Sequence, residues 1–461
     1  MALAGRRPSH RSNMPTAQQN HRAGDAQVIA QVCRGLAQVV NRRRTLDWLR
    51  SHQDKLLATP LHQELLYGTT RHYFSLTKLI SEYLAKPLRS KDQDLYALLL
   101  VGAYQLRFSR KPDHAIVNGA VNTCAALGKP WARGLINGVL REVQRNTNAI
   151  ADQEDGRLNH PDWLARKITA QYPNNSSDIF TANDQRGPMA LRVNTRKINF
   201  QDYCRVLDQQ GIQFALGAAT NSLVLVTPQP AASLPHWQDG FVAVQELSAQ
   251  FPSGLLLQAL SPDLHSPVIF DACSAPGGKL LQLHEGLCGQ FSTHRLIGND
   301  KVPERLEETR KIAQRLGHSD DARLILQCAD ATHADVVAEQ SCDAILLDAP
   351  CSGSGTIRRN PDIRILLQPE HLDDHQATQL QLLHNLWRGL KQGGTLLYST
   401  CSLFDEENDQ VIQQFVSAQP DTIVASVQLP FGKATRLGWQ MLPTEPLTDG
   451  FYYAMLRKAV Q

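Results

Sequence analysis

Two cysteines in the second half of the chain lie in similar local sequences. Cys351 belongs to the run Asp-Ala-Pro-Cys-Ser-Gly-Ser-Gly at residues 348–355, and Cys401 belongs to Tyr-Ser-Thr-Cys-Ser at 398–402. Each follows an apolar run of strand length, and open α/β sheets bind ligands at the carboxyl ends of their strands. A thiolate in such a place can act as a nucleophile. We therefore expect both thiols and the carboxylate of Asp348 in one catalytic site.

A glycine-rich turn upstream predicts a binding loop at the same edge. Residues 271–279 read Asp-Ala-Cys-Ser-Ala-Pro-Gly-Gly-Lys, between a predicted strand and a predicted helix. Gly277 and Gly278 allow the backbone to approach a ligand, and the start of the helix offers free N–H groups. The spacing is not Gly-x-Gly-x-x-Gly, which disfavours a dinucleotide.

Three carboxylates are predicted at the ends of successive strands beyond this turn. Asp300 ends the second predicted strand, Asp330 the third and Asp348 the fourth. A carboxylate about twenty residues after the glycines can accept hydrogen bonds from ribose hydroxyls. One such aspartate would be an ordinary strand-end cap, whereas three in succession predict a nucleoside site.

The glycine-rich turn, Asp-Ala-Pro-Cys and Ser-Thr-Cys occur in this order in the RNA 5-methylcytosine methyltransferases of the NOL1/NOP2/Sun family, which the chain resembles from about residue 26. The resemblance implies S-adenosylmethionine as cofactor, with Asp300 at its ribose and Asp330 beside its adenine. Its methionine part would be wrapped by Cys273, Ser274, Ala275, Pro276, Gly277, Gly278 and Lys279, and Asp348 is included in the cofactor site.

The proposed reaction explains why such a site would need a thiol. Carbon 5 of cytosine accepts a methyl group only after a nucleophile has added to carbon 6, and the thiol leaves once the carbon-5 proton is lost. Chemistry alone does not decide which thiol attacks, because the enzymes that make 5-methylcytosine in DNA use the cysteine of a Pro-Cys pair, as at Cys351. The family resemblance assigns Cys401 as nucleophile and Cys351 to product release. Asp348 would stabilise the ring nitrogen.

Hydrophobic periodicity predicts the elements that position these residues. After residue 251, apolar runs alternate with helical stretches, which predicts a Rossmann-like α/β domain with a parallel sheet at 251–461. Its predicted strands span residues 268–273, 295–300, 322–330, 342–350 and 394–401, with an antiparallel strand at 450–456. Residues 160–250 predict a small α+β, RNA-binding or linking subdomain, with helices at 163–172 and 202–210 and strands at 189–193, 222–226 and 241–244.

Residues 26–150 predict an all-helical domain, with helices at 92–108, 115–127 and 131–144. The segment resembles the NusB-like RNA-binding bundle, most clearly at Gly-Leu-Ile-Asn-Gly-Val-Leu-Arg, residues 134–141. Residues 1–150 hold 22 Lys and Arg against 9 Asp and Glu, whereas the remainder holds 25 against 35. This basic first third predicts contact with a polyanion, against the alternative of a helical scaffold with a solvated basic face.

Two arginines and the first residues of the chain add further basic charge. Arg358 and Arg359 continue the family resemblance, and their guanidinium groups suit RNA phosphates, although ordinary surface charge is the alternative. Residues 1–25 contain four arginines and few large apolar side chains, which predicts a disordered basic tail.

Composition excludes several other classes of protein. The nine cysteines include no Cys-x-x-Cys pair, which argues against a disulfide framework and against zinc, so we expect no metal. The longest apolar stretch, near residues 95–106, is too short to cross a bilayer, so we expect no membrane partner. We expect a cytoplasmic, reduced monomer of two or three domains.

The resemblance as a whole implies a multidomain methyltransferase that modifies carbon 5 of one cytosine in 16S ribosomal RNA, with position 967 as the candidate target. The same chemistry on transfer RNA or 23S ribosomal RNA stays open, because those branches share the catalytic motifs. A non-catalytic RNA-binding or antitermination protein is the alternative from another class, but it would be expected to have lost Cys401 or the Gly277–Gly278 turn. An amino-group methyltransferase would need no cysteine.

Overall fold

The computed structural model describes residues 17–53, 56, 59–151, 156–445 and 447–460. The chain divides into two compact units, Met1–Pro161 and Asp162–Gln461. Within the described residues, every helix is too short or too polar to cross a membrane.

The described part of the first unit is helical, which confirms the predicted all-α domain. Helix α5 is almost wholly apolar and packs against α1, α6 and α7, so it forms the centre of the bundle. The helices are α1 (Ala17–Arg42), α2 (Leu46–His52), α3 (Pro60–Arg71), α4 (Tyr73–Tyr83), α5 (Gln93–Phe108), α6 (Asp113–Ala126) and α7 (Arg133–Ala151). Helix α1 starts nine residues before the predicted residue 26, because no proline or glycine interrupts residues 17–23. The rest of the predicted tail, residues 1–16, lies outside the described residues.

The second unit begins with a small α+β layer, as the sequence predicted. Its strands form an antiparallel sheet in the order β2-β3-β1-β4. Helix α10 buries Tyr203 and Leu207 against Leu191, Leu223 and Val242 of this sheet. The elements are α8 (Asp162–Gln171), α9 (Ser176–Asp184), β1 (Met189–Val193), α10 (Phe200–Gln209), β2 (Phe214–Leu216), β3 (Ser222–Leu225) and β4 (Val242–Val244).

The rest of this unit is built on a mixed sheet, in which nine of the described strands take part. Its order is β11-β12-β13-β9-β8-β5-β6-β7, and β10 pairs with β13. The elements are α11 (Phe251–Ala259), β5 (Val268–Asp271), α12 (Gly278–Gln290), β6 (Arg295–Asp300), α13 (Pro303–Leu316), β7 (Leu324–Cys328), β8 (Cys342–Asp348), α14 (Ile363–Leu366), α15 (Glu370–Gly389), β9 (Leu390–Thr400), α16 (Asp409–Ala418), β10 (Thr422–Ala425), β11 (Lys433–Ala434), β12 (Trp439–Met441) and β13 (Phe451–Lys458).

Five neighbouring strands of this sheet are parallel and carry the predicted motifs at their carboxyl ends. These strands are β9, β8, β5, β6 and β7. Strand β13 pairs antiparallel with β9, as predicted for residues 450–456. The central strands are apolar on both faces, with Ile345, Leu346 and Leu347 fully buried between helical layers. The predicted Rossmann-like α/β architecture is therefore confirmed.

Candidate active site

The two cysteines of the similar sequence runs meet at the carboxyl edge of the sheet. Strands β8 and β9 are parallel neighbours, and Asp348 lies opposite Ser399. Cys351 follows Asp348 by three residues and Cys401 follows Ser399 by two, so both loops leave the sheet at the same level. The Sγ atoms lie 3.4 Å apart, and both residues are partly exposed. Two thiols at this distance can act on one substrate atom or on each other.

The surroundings of Cys351 keep its thiol protonated. The hydrogen bond to Cys401, burial and the charge of Glu407 raise the pKa of Cys351 well above its usual value. At neutral pH Cys351 is therefore a protonated thiol, and either sulfur can donate the hydrogen bond that joins the pair.

An ion pair lies beside the thiols. Lys279 Nζ donates to Asp348 Oδ2 at 2.6 Å, and Ser399 Oγ donates to Asp348 Oδ1 at 2.9 Å. Although burial lowers it, the pKa of Lys279 is raised overall by the Asp348 carboxylate. Because Lys279 stands at the start of α12 and Asp348 at the end of β8, this pair joins the glycine-rich turn to the thiol loops.

The glycine-rich turn has the backbone geometry that its sequence predicts. Gly277 has φ +102° and caps α12, a conformation that favours glycine. The N–H of Ser274 donates to the Asn299 carbonyl at 2.8 Å. The Asn299 amide in turn donates to the carbonyls of Ala272 and Ala329, each at 3.0 Å. Asn299 thus holds the ends of three strands together under the loop, a role that sequence reasoning missed.

Asp300 and Asp330 also lie at this edge. Asp300 ends β6 and is buried, and it accepts a hydrogen bond from the N–H of Val302 at 3.0 Å. Asp330 lies two residues beyond β7 and accepts hydrogen bonds from the Thr332 N–H and hydroxyl, which lower its pKa. Both are therefore oriented acceptors for a polar ligand.

Asp271, which was not among the predicted site residues, is the most perturbed acid of this edge. It ends β5 and is buried, and neither carboxyl oxygen receives a hydrogen bond from a described side chain. Burial, with the charge of Asp348, raises the pKa of Asp271 to about 8. Its position at the start of the glycine-rich run was visible in the sequence, but its lack of partners was not.

Comparisons with known proteins match this arrangement along the chain. A family model for the 16S rRNA methyltransferases RsmB/F matches residues 257–457, a NusB family model matches 19–145, and a model of an RsmF/B-like ferredoxin-like domain matches 160–232. The ribosomal RNA small subunit methyltransferase B of Pasteurella multocida is 38% identical over 437 residues, covering 92% of this chain and 94% of the relative. The chain belongs to the RsmB/F family of rRNA methyltransferases.

One further relative and one solved structure are also similar to this chain. The probable ribosomal RNA small subunit methyltransferase B of Coxiella burnetii is 37% identical over 429 residues, covering 91% of this chain and 97% of the relative. The crystal structure of PH0851 superposes with a TM-score of 0.78 and covers 97% of this chain and all of that chain, at 22% identity. The latter similarity supports the fold alone.

Membership of the RsmB/F family identifies S-adenosylmethionine as the cofactor, and the loop fits it. The cofactor is a cation with an ammonium group, a ribose and an activated methyl group. Asp271 and the Ser274 hydroxyl are buried polar groups without side-chain partners, as expected of a site that a polar ligand completes. Asp300 and Asp330 offer acceptors on the neighbouring strands.

Arg358 and Arg359 have protein partners in the structure. Both guanidinium groups pair with the buried carboxylate of Asp449, and Arg358 also donates to the Thr448 carbonyl. Arg358 is buried, whereas 27% of the surface of the Arg359 side chain is exposed to solvent. An RNA contact by Arg358 would require it to leave these partners, so Arg359 is the better placed of the two, and their role stays a prediction.

A cluster of two histidines and one cysteine lies on α12 and directly before β6. The possible ligand atoms of His284, Cys288 and His294 all lie within 4.8 Å of one another. Burial lowers the pKa of both histidines to about 4, so they are neutral at pH 7. Arg196 Nη1 lies 3.3 Å from His284 Nε2, and a cation at this distance opposes a divalent metal. That the protein binds no metal stays a prediction.

Proposed function

We propose that the chain transfers the methyl group of S-adenosylmethionine to carbon 5 of a cytosine in 16S ribosomal RNA, through a covalent bond between Cys401 and carbon 6. The observation that carries this proposal is the 3.4 Å approach of the Cys351 and Cys401 sulfur atoms next to the cofactor edge. A single catalytic thiol would not need a second one at this distance.

The chemistry divides between the two thiols. The Cys401 thiolate adds to carbon 6, and carbon 5 becomes electron-rich enough to take the methyl group. The carbon-5 proton then leaves to solvent, and elimination of the Cys401 sulfur restores the ring. Because Cys351 is a protonated thiol hydrogen-bonded to that sulfur, it stabilises the departing thiolate. Cys351 is therefore the group for product release.

Asp348 and Lys279 act on the other part of the cytosine ring. Their ion pair lies between the cofactor loop and the thiols, so its N–H donors can stabilise negative charge that develops on the ring when Cys401 adds. Asp348 holds Lys279 in that position, and its carboxylate accepts a hydrogen bond from the ring nitrogen when that nitrogen carries a proton.

The substrate follows from the relatives and from the basic first third of the chain. The named relatives are ribosomal RNA small subunit methyltransferases, which supports 16S ribosomal RNA as substrate. We propose position 967 as the target, the NusB-like domain and Arg359 as RNA contacts, and a cytoplasmic monomer as the active form. The target base must be unstacked to reach the thiols.

The test uses four proteins: wild type, Cys401→Ala, Cys351→Ala and, as a matched control, Cys328→Ala, whose thiol is exposed at the end of β7. Each is incubated with 16S RNA and methyl-labelled S-adenosylmethionine, and both methylation and denaturant-stable protein–RNA adducts are measured. We expect adduct without turnover for Cys351→Ala, neither for Cys401→Ala, and wild-type behaviour for Cys328→Ala.

Other results would change the assignment. If Cys401→Ala accumulates the adduct and Cys351→Ala gives none, the two roles are exchanged. If the wild type methylates transfer RNA or 23S ribosomal RNA but not 16S RNA, the chemistry stands and the substrate is wrong. If methylation proceeds but neither the wild type nor any of the variants forms an adduct, the covalent mechanism is wrong.

A further inference from the structure

A buried carboxylate lies behind the two thiols. Glu407 stands in the turn after β9, six residues beyond Cys401, and its side chain has no solvent exposure. It accepts hydrogen bonds from the Ser352 N–H at 2.7 Å, from the Ser352 hydroxyl at 2.5 Å and from the Ser402 hydroxyl. Both carboxylate oxygens are therefore used by the two serines.

These serines are the residues that directly follow the cysteines. Ser352 follows Cys351, and Ser402 follows Cys401. Their hydroxyl oxygens lie 3.3 Å apart. One carboxylate thus bridges two loops that are about fifty residues apart in sequence, immediately behind the two sulfur atoms.

The bridge is made by hydrogen bonds rather than by an ion pair. Among the residues that the structure describes, no lysine, arginine or histidine forms an ion pair with Glu407. A buried carboxylate without a cation is costly unless hydrogen bonds compensate it. The Glu407 charge also contributes to the raised pKa of Cys351, after the hydrogen bond to Cys401 and burial. The carboxylate therefore affects both the geometry of the two thiol loops and the protonation of Cys351.

We propose that Glu407 is a positioning residue that fixes the relative placement of Cys351 and Cys401, so that one thiol can attack and the other can assist release. The proposal rests on the function proposed above. An error of about 1 Å in the placement of reacting groups can cost on the order of a hundredfold in rate. A carboxylate that only filled the core would not need to bind the residue after each thiol.

The first test replaces Glu407 by glutamine, which keeps the volume of the side chain but removes its charge and offers N–H groups to serine donors. The matched control is Asp343→Asn, because Asp343 is another largely buried acid that accepts a backbone N–H, from Val268 at 2.8 Å, but it lies near the opposite end of β8. We expect kcat for RNA methylation to fall at least tenfold in Glu407→Gln, with the cofactor Kd within threefold of wild type. Asp343→Asn should keep kcat within twofold.

A second readout separates positioning from mere structure. The rate of Cys351 alkylation by iodoacetamide is measured against pH by mass spectrometry, in a Cys401→Ala background without RNA. Removing the Glu407 charge should shift the midpoint of this profile to lower pH while the buried Cys342 thiol stays as unreactive as in the parent protein. A general loss of stability would expose both thiols and speed the alkylation of Cys342 as well. Ser402→Ala, which keeps Glu407, should reduce kcat less than Glu407→Gln does. A variant that carries both substitutions should have nearly the same kcat as Glu407→Gln alone.

The outcomes distinguish this inference from the proposed function. If Cys351→Ala accumulates adduct as expected but Glu407→Gln keeps kcat within twofold and an unchanged alkylation midpoint, Glu407 has no positioning role and the mechanism stands. If Glu407→Gln does not fold, Ser402→Ala alone decides: wild-type kcat in that variant would overturn the proposal. If Cys401→Ala still methylates RNA, the proposed function itself fails.

Discussion

Binding of S-adenosylmethionine should release a proton from Asp271. The carboxyl is buried at the end of β5, and its pKa is raised to about 8, so it is mostly protonated at pH 7 in the free protein. The cofactor brings an ammonium group, and we expect Asp271 to be its partner because the carboxyl begins the glycine-rich run and has no side-chain hydrogen bond. A carboxylate beside an ammonium is stabilised in the charged form.

The size of the effect follows from the pKa. A group with a pKa of about 8 is roughly 1% ionised at pH 6 and about a quarter ionised at pH 7.5. If only the ionised form binds, the association constant should rise about 25-fold between these pH values, with release of about 0.9 proton at pH 7. The range stops at pH 7.5, because the α-amino group of the ligand begins to lose its own proton near pH 8.

Isothermal titration calorimetry in two buffers of different ionisation enthalpy measures both the affinity and the protons released. Asp271→Asn should bind more weakly, release no proton and show no rise with pH. Asp330→Asn is the matched control: Thr332 lowers the pKa of Asp330, so this acid is already ionised at pH 6 and its removal should weaken binding but keep the slope. A wild-type affinity that does not change between pH 6 and 7.5 would refute the reasoning.

Three further outcomes are expected. Gly277→Ala should weaken cofactor binding at least tenfold in the same titration, because φ is +102° there and the added Cβ would lie 2.8 Å from Thr309 Cγ2. Glu285→Gln leaves the buried guanidinium of Arg192 without its charge partner and should lower the free energy of unfolding by about 3–5 kcal/mol in a urea titration. If the basic residues of 1–150 contact RNA phosphates, raising the salt from about 50 to 200 mM should weaken RNA binding at least tenfold in a filter-binding assay.

The sequence predicted the elements that depend on local pattern. The alternation of apolar, strand-length runs with helices predicted the bounds of the parallel strands to within a few residues. This is possible because buried strands must be apolar on both faces. The motifs were predicted at the carboxyl ends of these strands. Because parallel strands end at the same edge of a sheet, the sequence also predicted that the motifs lie together there. The short strands β10, β11 and β12 were missed, because two to four residues carry no recognisable period.

Contacts between distant parts of the chain could not be predicted in this way. Asp449 pairs with Arg358 and Arg359 across about ninety residues, and nothing in the local sequence marks it as their partner. The same holds for Glu407, which looks like one acid in the run Asp-Glu-Glu and becomes distinctive only through its buried contacts with Ser352 and Ser402. Burial and hydrogen-bond satisfaction depend on which loops the fold brings together.

The strand order itself couples the cofactor to the thiols. Strand β8 lies between β5 and β9: Asp348 is paired with Ser399 of β9, whereas Asp271 of β5 is paired with Leu346, two residues before Asp348. Burial, together with the charge of Asp348, raises the pKa of Asp271, and the same Asp348 carboxylate holds Lys279. Loss of a proton from Asp271 adds a second negative charge next to this ion pair and strengthens the hold on Lys279. We therefore expect cofactor binding to change the electrostatics around the Lys279–Asp348 pair through this one strand end.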